Sequence, residues 1–138
     1  MSGFEVSCPC GSVLVRIGGE PVAQFYCHCA DCQRAHGAAY VAESIYESKA
    51  VSITSGETVS LVLRTTPRLS CGQCGTRLYA DLVDDGLRGL NAYLLPPDVF
   101  QPTLHINCGD AVAPVADALP HYRNKPVEFG GDGERMDW

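Results

Sequence analysis

Scarcity narrows this sequence before any motif does. No apolar run among its 138 residues approaches the about 20 that a helix needs to cross a bilayer. The stretch Met1-Ser2-Gly3-Phe4-Glu5 has neither the basic patch nor the apolar segment of a secretory leader. The expected setting is therefore cytoplasmic, with no membrane partner. Cations are few and scattered: 10 Lys and Arg stand against 16 Asp and Glu, for a net charge of -6. Nucleic-acid binding depends on clustered positive charge and is not expected. Sustained 3.6-residue periodicity is also missing, while 14 Gly and 9 Pro break the chain often. That excludes an all-helical fold and points to short strands between many turns. With no long linker, repeat or low-complexity tract, residues 1–129 read as one domain. The polar, glycine-rich segment 130–138 reads as a flexible tail on which only Trp138 could dock.

Period-two alternation in Val13-Val15-Ile17 and Val59-Leu61-Leu63 predicts two half-buried strands. Further strands are expected at Val22 to Tyr26, Ala39 to Ile45, Val51 to Thr54, Arg77 to Val83, Leu90 to Leu95 and Leu104 to Asn107, each bounded by turn formers. The fold class is mainly β, with antiparallel sheets. Helix is expected only as short pieces at Ala30 to His36, Pro97 to Phe100 and Val112 to Leu119, none able to stand alone.

Cysteine is the residue in excess. Eight are present, and in a reducing compartment such a pattern signals metal more often than disulfides. Cys8-Pro9-Cys10-Gly11 and Cys71-Gly72-Gln73-Cys74-Gly75 each resemble half of a zinc site, the glycines permitting the positive φ that turns backbone N–H groups toward sulfur. Together, Cys8, Cys10, Cys71 and Cys74 would close a tetrahedral structural Zn²⁺. Two disulfides are the competing reading.

Cys27-His28-Cys29-Ala30-Asp31-Cys32 places three thiols within six residues. Three ligands from one turn can hold a second Zn²⁺ and leave a fourth position open, as a catalytic site requires. Alternatively His28, His36 or Cys108 supplies that fourth ligand and makes the site structural. Thiolate-rich zinc is a weak activator of water. It suits a substrate thiol, which it would hold in the nucleophilic thiolate form.

These motifs resemble the glutathione-dependent formaldehyde-activating enzymes and the related centromere protein V domain. The likeness lies in Cys8-x-Cys10-Gly11-x-Val13, Cys27-His28-Cys29-x-x-Cys32-x-Arg34-x-x-Gly37 and Cys71-x-x-Cys74-Gly75, and continues into Pro102-x-x-His105-Ile106 and Leu119-Pro120-x-Tyr122. The resemblance implies several coiled antiparallel β-sheets, with structural zinc on Cys8, Cys10, Cys71 and Cys74 and a second zinc on Cys27, Cys29 and Cys32. It further implies carbon–sulfur lyase chemistry, in which glutathione adds to formaldehyde to give S-hydroxymethylglutathione. Gln33 stands where that family often has arginine, and Val115 where it often has tryptophan.

Glutathione carries two carboxylates, so the guanidinium fork of Arg34, two residues past Cys32, is a candidate contact. In an extended chain the His28 ring would point away from the metal, as outer support or surface. His105 is read as a core histidine, or one that orients a ligand or relays a proton, and Cys108 as a spare thiol. A noncatalytic zinc module is the main alternative to an enzyme. A methionine sulfoxide reductase-like protein ranks below both, because it has no place for the Cys27/Cys29/Cys32 group.

Overall fold

The computed structural model describes residues 3–138, so Met1 and Ser2 of the N-terminal stretch read above lie outside it. The chain is mainly β, as expected, and its contacts divide it into two compact units. One holds the chain up to Ala23 and from Ser44 to Phe100, and the other Gln24–Glu43 with Gln101–Trp138.

In the first unit β1 (Phe4–Ser7), β2 (Leu14–Ile17) and β5 (Val51–Ser55) form an antiparallel three-stranded sheet. Its register sets Val6 opposite Val15 and Val15 opposite Ile53, with a bulge between Leu14 and Val15. Val15, Ile17 and Val51 are fully buried, so the alternating face read from Val13-Val15-Ile17 is the core face. Strands β6 (Thr58–Leu63), β7 (Thr66–Cys71), β8 (Arg77–Leu82) and β9 (Leu87–Asn91) follow as an antiparallel meander around Leu78 and Leu90.

Several expectations are corrected here. β6 forms, but Val59 and Leu61 are 48% and 63% exposed, so it is not half-buried. The strand stands at the end of the sheet and pairs only with β7, across a two-residue turn at Arg64 and Thr65. β1 and β7 were not expected from the pattern. The strand expected over Leu90 to Leu95 stops at Asn91, whose Oδ1 accepts the Tyr93 N–H at 3.1 Å and starts a 3-10 turn over Ala92–Leu94. Pro97 to Phe100 is a simple turn closed by Val99 N–H to the Pro96 carbonyl.

The second unit contains β3 (Ala23–Cys27, from Gln24 onward), α1 (Ala30–His36), the start of β4 (Val41–Glu47) and β10 (His105–Ile106). β10 pairs with β3 in parallel, an exception to the antiparallel expectation, with His105 beside Tyr26 and Ile106 beside Cys27. The α-helix spans the residues expected and ends at Gly37, whose left-handed φ of 61° no β-branched residue would accept readily.

Val112 to Leu119 is not helical. In a helix the Val115 carbonyl would accept the Leu119 N–H; instead Val115 O accepts the His121 ring at 2.9 Å and Leu119 N–H bonds Asp117 Oδ1 at 3.0 Å. Side chains have taken the backbone groups a helix needs. The segment after Gly130 makes contacts of its own. Arg123 N–H bonds the Glu134 carbonyl, Met136 N–H bonds the His121 carbonyl, and the Trp138 ring lies 4.6 Å from that of His121.

Candidate metal centres

In the first unit Cys8, Cys10, Cys71 and Cys74 converge, their sulfurs all within 4.8 Å of one another. Cys8 to Cys10, Cys8 to Cys71 and Cys10 to Cys71 measure 3.5, 3.6 and 3.7 Å. Sulfurs each about 2.3 Å from one tetrahedral ion stand about 3.8 Å apart, so this donor set fits zinc. The eight cysteines are free thiols, not disulfides.

Local backbone prepares the cluster. Cys71 Sγ accepts N–H groups from Gln73 and Cys74, both at 3.4 Å, over a turn that Gly75 completes at φ 77°. Gly56 lies alongside at φ 94°, where any Cβ would sit 2.0 Å from the Ser12 carbonyl oxygen, so only glycine lets the β5–β6 turn close against the first cysteine loop. The Ser12 hydroxyl is 3.1 Å from the sulfurs of both Cys10 and Cys71, and Thr76 is 3.1 Å from Cys74. The Cys74 backbone N–H, with the Ser12 hydroxyl, pulls the Cys71 thiol down to about 5.

In the second unit Cys27, Cys29 and Cys32 form a group of three, again within 4.8 Å, with Cys32 to Cys27 at 3.6 Å. Among the described residues neither His28, His36 nor Cys108 joins this group. Cys29 is the N-cap of α1 and accepts the Cys32 N–H at 3.2 Å, so one sulfur both starts the helix and faces its neighbours. Cys27 and Cys32 are buried and Cys29 is half-buried. Contact with Cys29 pushes Cys27 well above the ordinary thiol range. The bond to Cys27 favours the Cys32 thiolate, but contact with Cys29 and burial outweigh it and push Cys32 up to about 12. Crowded, buried thiols cannot all ionise without a cation, and a divalent ion would release their protons. The three-sulfur group therefore also fits zinc.

A family model for the glutathione-dependent formaldehyde-activating enzyme matches residues 3–110, which include both sulfur clusters. The chain belongs to that family. Its fold is also similar to the crystal structure of a Rhodobacter sphaeroides protein, at TM-score 0.54 and 19% identity, covering 72% of this chain and 97% of that one.

Around the three-sulfur group of this family member, other side chains take positions that local sequence did not reveal. Asn107 donates from Nδ2 to Cys27 Sγ at 3.3 Å from a left-handed backbone at φ 56°. Gln33 donates from one amide nitrogen to the carbonyls of His28 at 2.8 Å and Asp110 at 2.9 Å, tying helix to loop. Arg34 is exposed and makes no ion pair among the described residues. Cys108 is buried apart, and burial raises it to about 11, as a spare thiol.

His28 and His105 are fully buried. Burial, then the neighbouring His105, lowers His28 to about 4, so its ring is neutral. His105, Asp117 and His121 also bring three donors within 4.8 Å. They do not suit a shared ion. His121 Nε2 lies 2.9 Å from the Val115 carbonyl, which only accepts, so that nitrogen carries a proton and offers no lone pair. Separations of 77 and 12 residues link His28 to His105 and His105 to Asp117, and no local motif announces contacts of that range.

Proposed function

We propose that this protein is a zinc-dependent carbon–sulfur lyase that adds glutathione to formaldehyde or a similarly small aldehyde, and reverses that addition. Its zinc ions number two, one structural on Cys8, Cys10, Cys71 and Cys74 and one on Cys27, Cys29 and Cys32 that keeps a position for the substrate sulfur. The observation that carries the reading is the three-sulfur group, to which no fourth His, Cys, Asp or Glu is added among the described residues.

Bound there, zinc supplies stabilisation of an incoming thiol as its nucleophilic thiolate. Cys27, Cys29 and Cys32 provide three soft donors on a turn already set by the start of α1. Half-buried Cys29 marks the accessible edge. Arg34, exposed on the same helix, offers its guanidinium to a glutathione carboxylate. Addition forms one S–C bond as the carbonyl π bond opens, and the thiol proton ends on the former carbonyl oxygen. Nothing is oxidised or reduced. Much of the acceleration comes from holding thiol and carbonyl carbon together.

Carbon-13 exchange spectroscopy on formaldehyde and glutathione tests this. Zinc-loaded protein is expected to speed interconversion with the adduct, and Cys29→Ser to lose that effect, since serine still caps the helix but offers no thiolate. Protein holding two zinc ions that neither binds glutathione in calorimetry nor alters the exchange rate sinks the reading.

A further inference from the structure

The lyase reading leaves a buried set of polar rings in the second unit unused. Asp117 Oδ2 is 2.8 Å from His105 Nε2, and His105 Nδ1 is 2.9 Å from His28 Nε2. An ionised carboxylate only accepts, so His105 carries a proton on Nε2, and in the neutral ring its Nδ1 is bare. His28 must then donate from Nε2, which leaves its own Nδ1 as a lone pair. That atom is buried and has no partner, so the ring is oriented by His105 alone among its polar neighbours.

His28 lies between Cys27 and Cys29, and its backbone is held as well. Its N–H bonds the Ile106 carbonyl at 3.0 Å and its carbonyl accepts from Gln33 at 2.8 Å. Rings pack the series from the sides: Tyr26 stacks on His105 at 5.0 Å, and Trp138 meets His28 edge-on at 5.1 Å. A residue flanked by two sulfur ligands and fixed at N–H, carbonyl and ring determines where both neighbours point.

We propose that Asp117, His105 and His28 form a positioning series that fixes the Cys27–Cys29 turn from behind, so that the three-sulfur group is preset for its ion. This rests on the zinc reading of Cys27, Cys29 and Cys32. Asp117 sets the His105 tautomer, His105 sets the His28 ring, and His28 carries the constraint into the ligand turn. Outer partners of metal ligands typically change affinity by about 10- to 100-fold. As the series acts through a neighbouring residue, about 10-fold is expected here.

Two measurements test it on the full chain. Long-range proton–nitrogen NMR should find His28 and His105 both protonated at Nε2 and bare at Nδ1. Chelator competition with Co²⁺, followed by thiolate charge-transfer absorbance, should show Asp117→Ala weakening the three-sulfur group about 10-fold while the four-sulfur group keeps its affinity. Asp117→Asn, which still offers an acceptor oxygen, should restore most of the loss. Retention of the four-sulfur spectrum, with wild-type-like amide NMR signals from Gln24–Glu43, shows that each variant has folded. His28 protonated at Nδ1, or unchanged affinity in Asp117→Ala with two ions bound, overturns the series alone. If wild-type protein takes up only one ion, the zinc reading falls and the series with it, and the NMR pattern then shows whether the hydrogen bonds themselves exist.

Discussion

The four-sulfur and three-sulfur groups begin from the same device, a Cys-x-x-Cys turn whose first sulfur accepts a backbone N–H from the second cysteine, at 3.4 Å for Cys71 and 3.2 Å for Cys29. Their surroundings then diverge. Cys10 and Cys74 are exposed, and the Ser12 and Thr76 hydroxyls lie 3.1 Å from sulfur. The Cys74 backbone N–H, with the Ser12 hydroxyl, draws Cys71 down to about 5. In the other group Cys27 and Cys32 are buried, and the Asn107 side-chain amide donates to the Cys27 sulfur. Protons stay on, with Cys32 held up at about 12. Cys71 is thus an anion before any ion arrives, whereas Cys27 and Cys32 would become anions only with one. That suits a site whose donors must answer to what binds.

The sharpest way to break this comparison is to remove one sulfur from each group. Cys71→Ser should abolish metal at the four-sulfur group and lower the melting temperature by about 10 °C or more, since structural zinc is folding free energy. Cys29→Ser should empty the three-sulfur group with a far smaller thermal change, because serine preserves the cap. Calorimetric melting with metal analysis reads both, and equal losses would erase the distinction.

Proton release sharpens it further. At pH 7 the Cys27 and Cys32 thiols, raised above that pH, must give up protons when an ion binds, so affinity at the three-sulfur group rises with pH through neutrality. Cys71, at about 5, is already ionised at pH 7, and its contribution to affinity fades only as pH falls through about 5. Zinc titrations in buffers of different ionisation enthalpy count the protons. Cys71 should add nothing to the protons released at the four-sulfur group, whereas Cys27 and Cys32 should each release one.

The smallest effect is expected at Asn107. Asn107→Gly removes the N–H···S bond to Cys27 but relieves a left-handed backbone that glycine adopts freely. Stability should therefore change by less than about 1 kcal/mol, while Co²⁺ affinity at the three-sulfur group drops severalfold. Unchanged affinity would show that the amide does nothing for the sulfur.

Much of this was legible along the chain. Cysteine spacing announced both groups because ligands two or three residues apart share one turn, and that turn is a local property of cysteine, glycine and backbone N–H groups. Alternation revealed β2 for the same reason. It failed at β6, where Val59 and Leu61 alternate like core residues but belong to an end strand with no packed face. Pattern also missed what side chains do to distant backbone: Val112 to Leu119 lost its helix to His121 and Asp117.

Residue order by itself determined a mainly β chain, two clusters of sulfurs that could hold a metal and the short helix that begins on Cys29. Only the tertiary structure decided that His28, His105 and Asp117 stand in series, that Gln33 spans two carbonyls, and that no fourth His, Cys, Asp or Glu among the described residues joins the three sulfurs. The physical reason is range. Covalent spacing positions neighbours within a turn, whereas contacts across 77 residues exist only once β3 and β10 lie side by side.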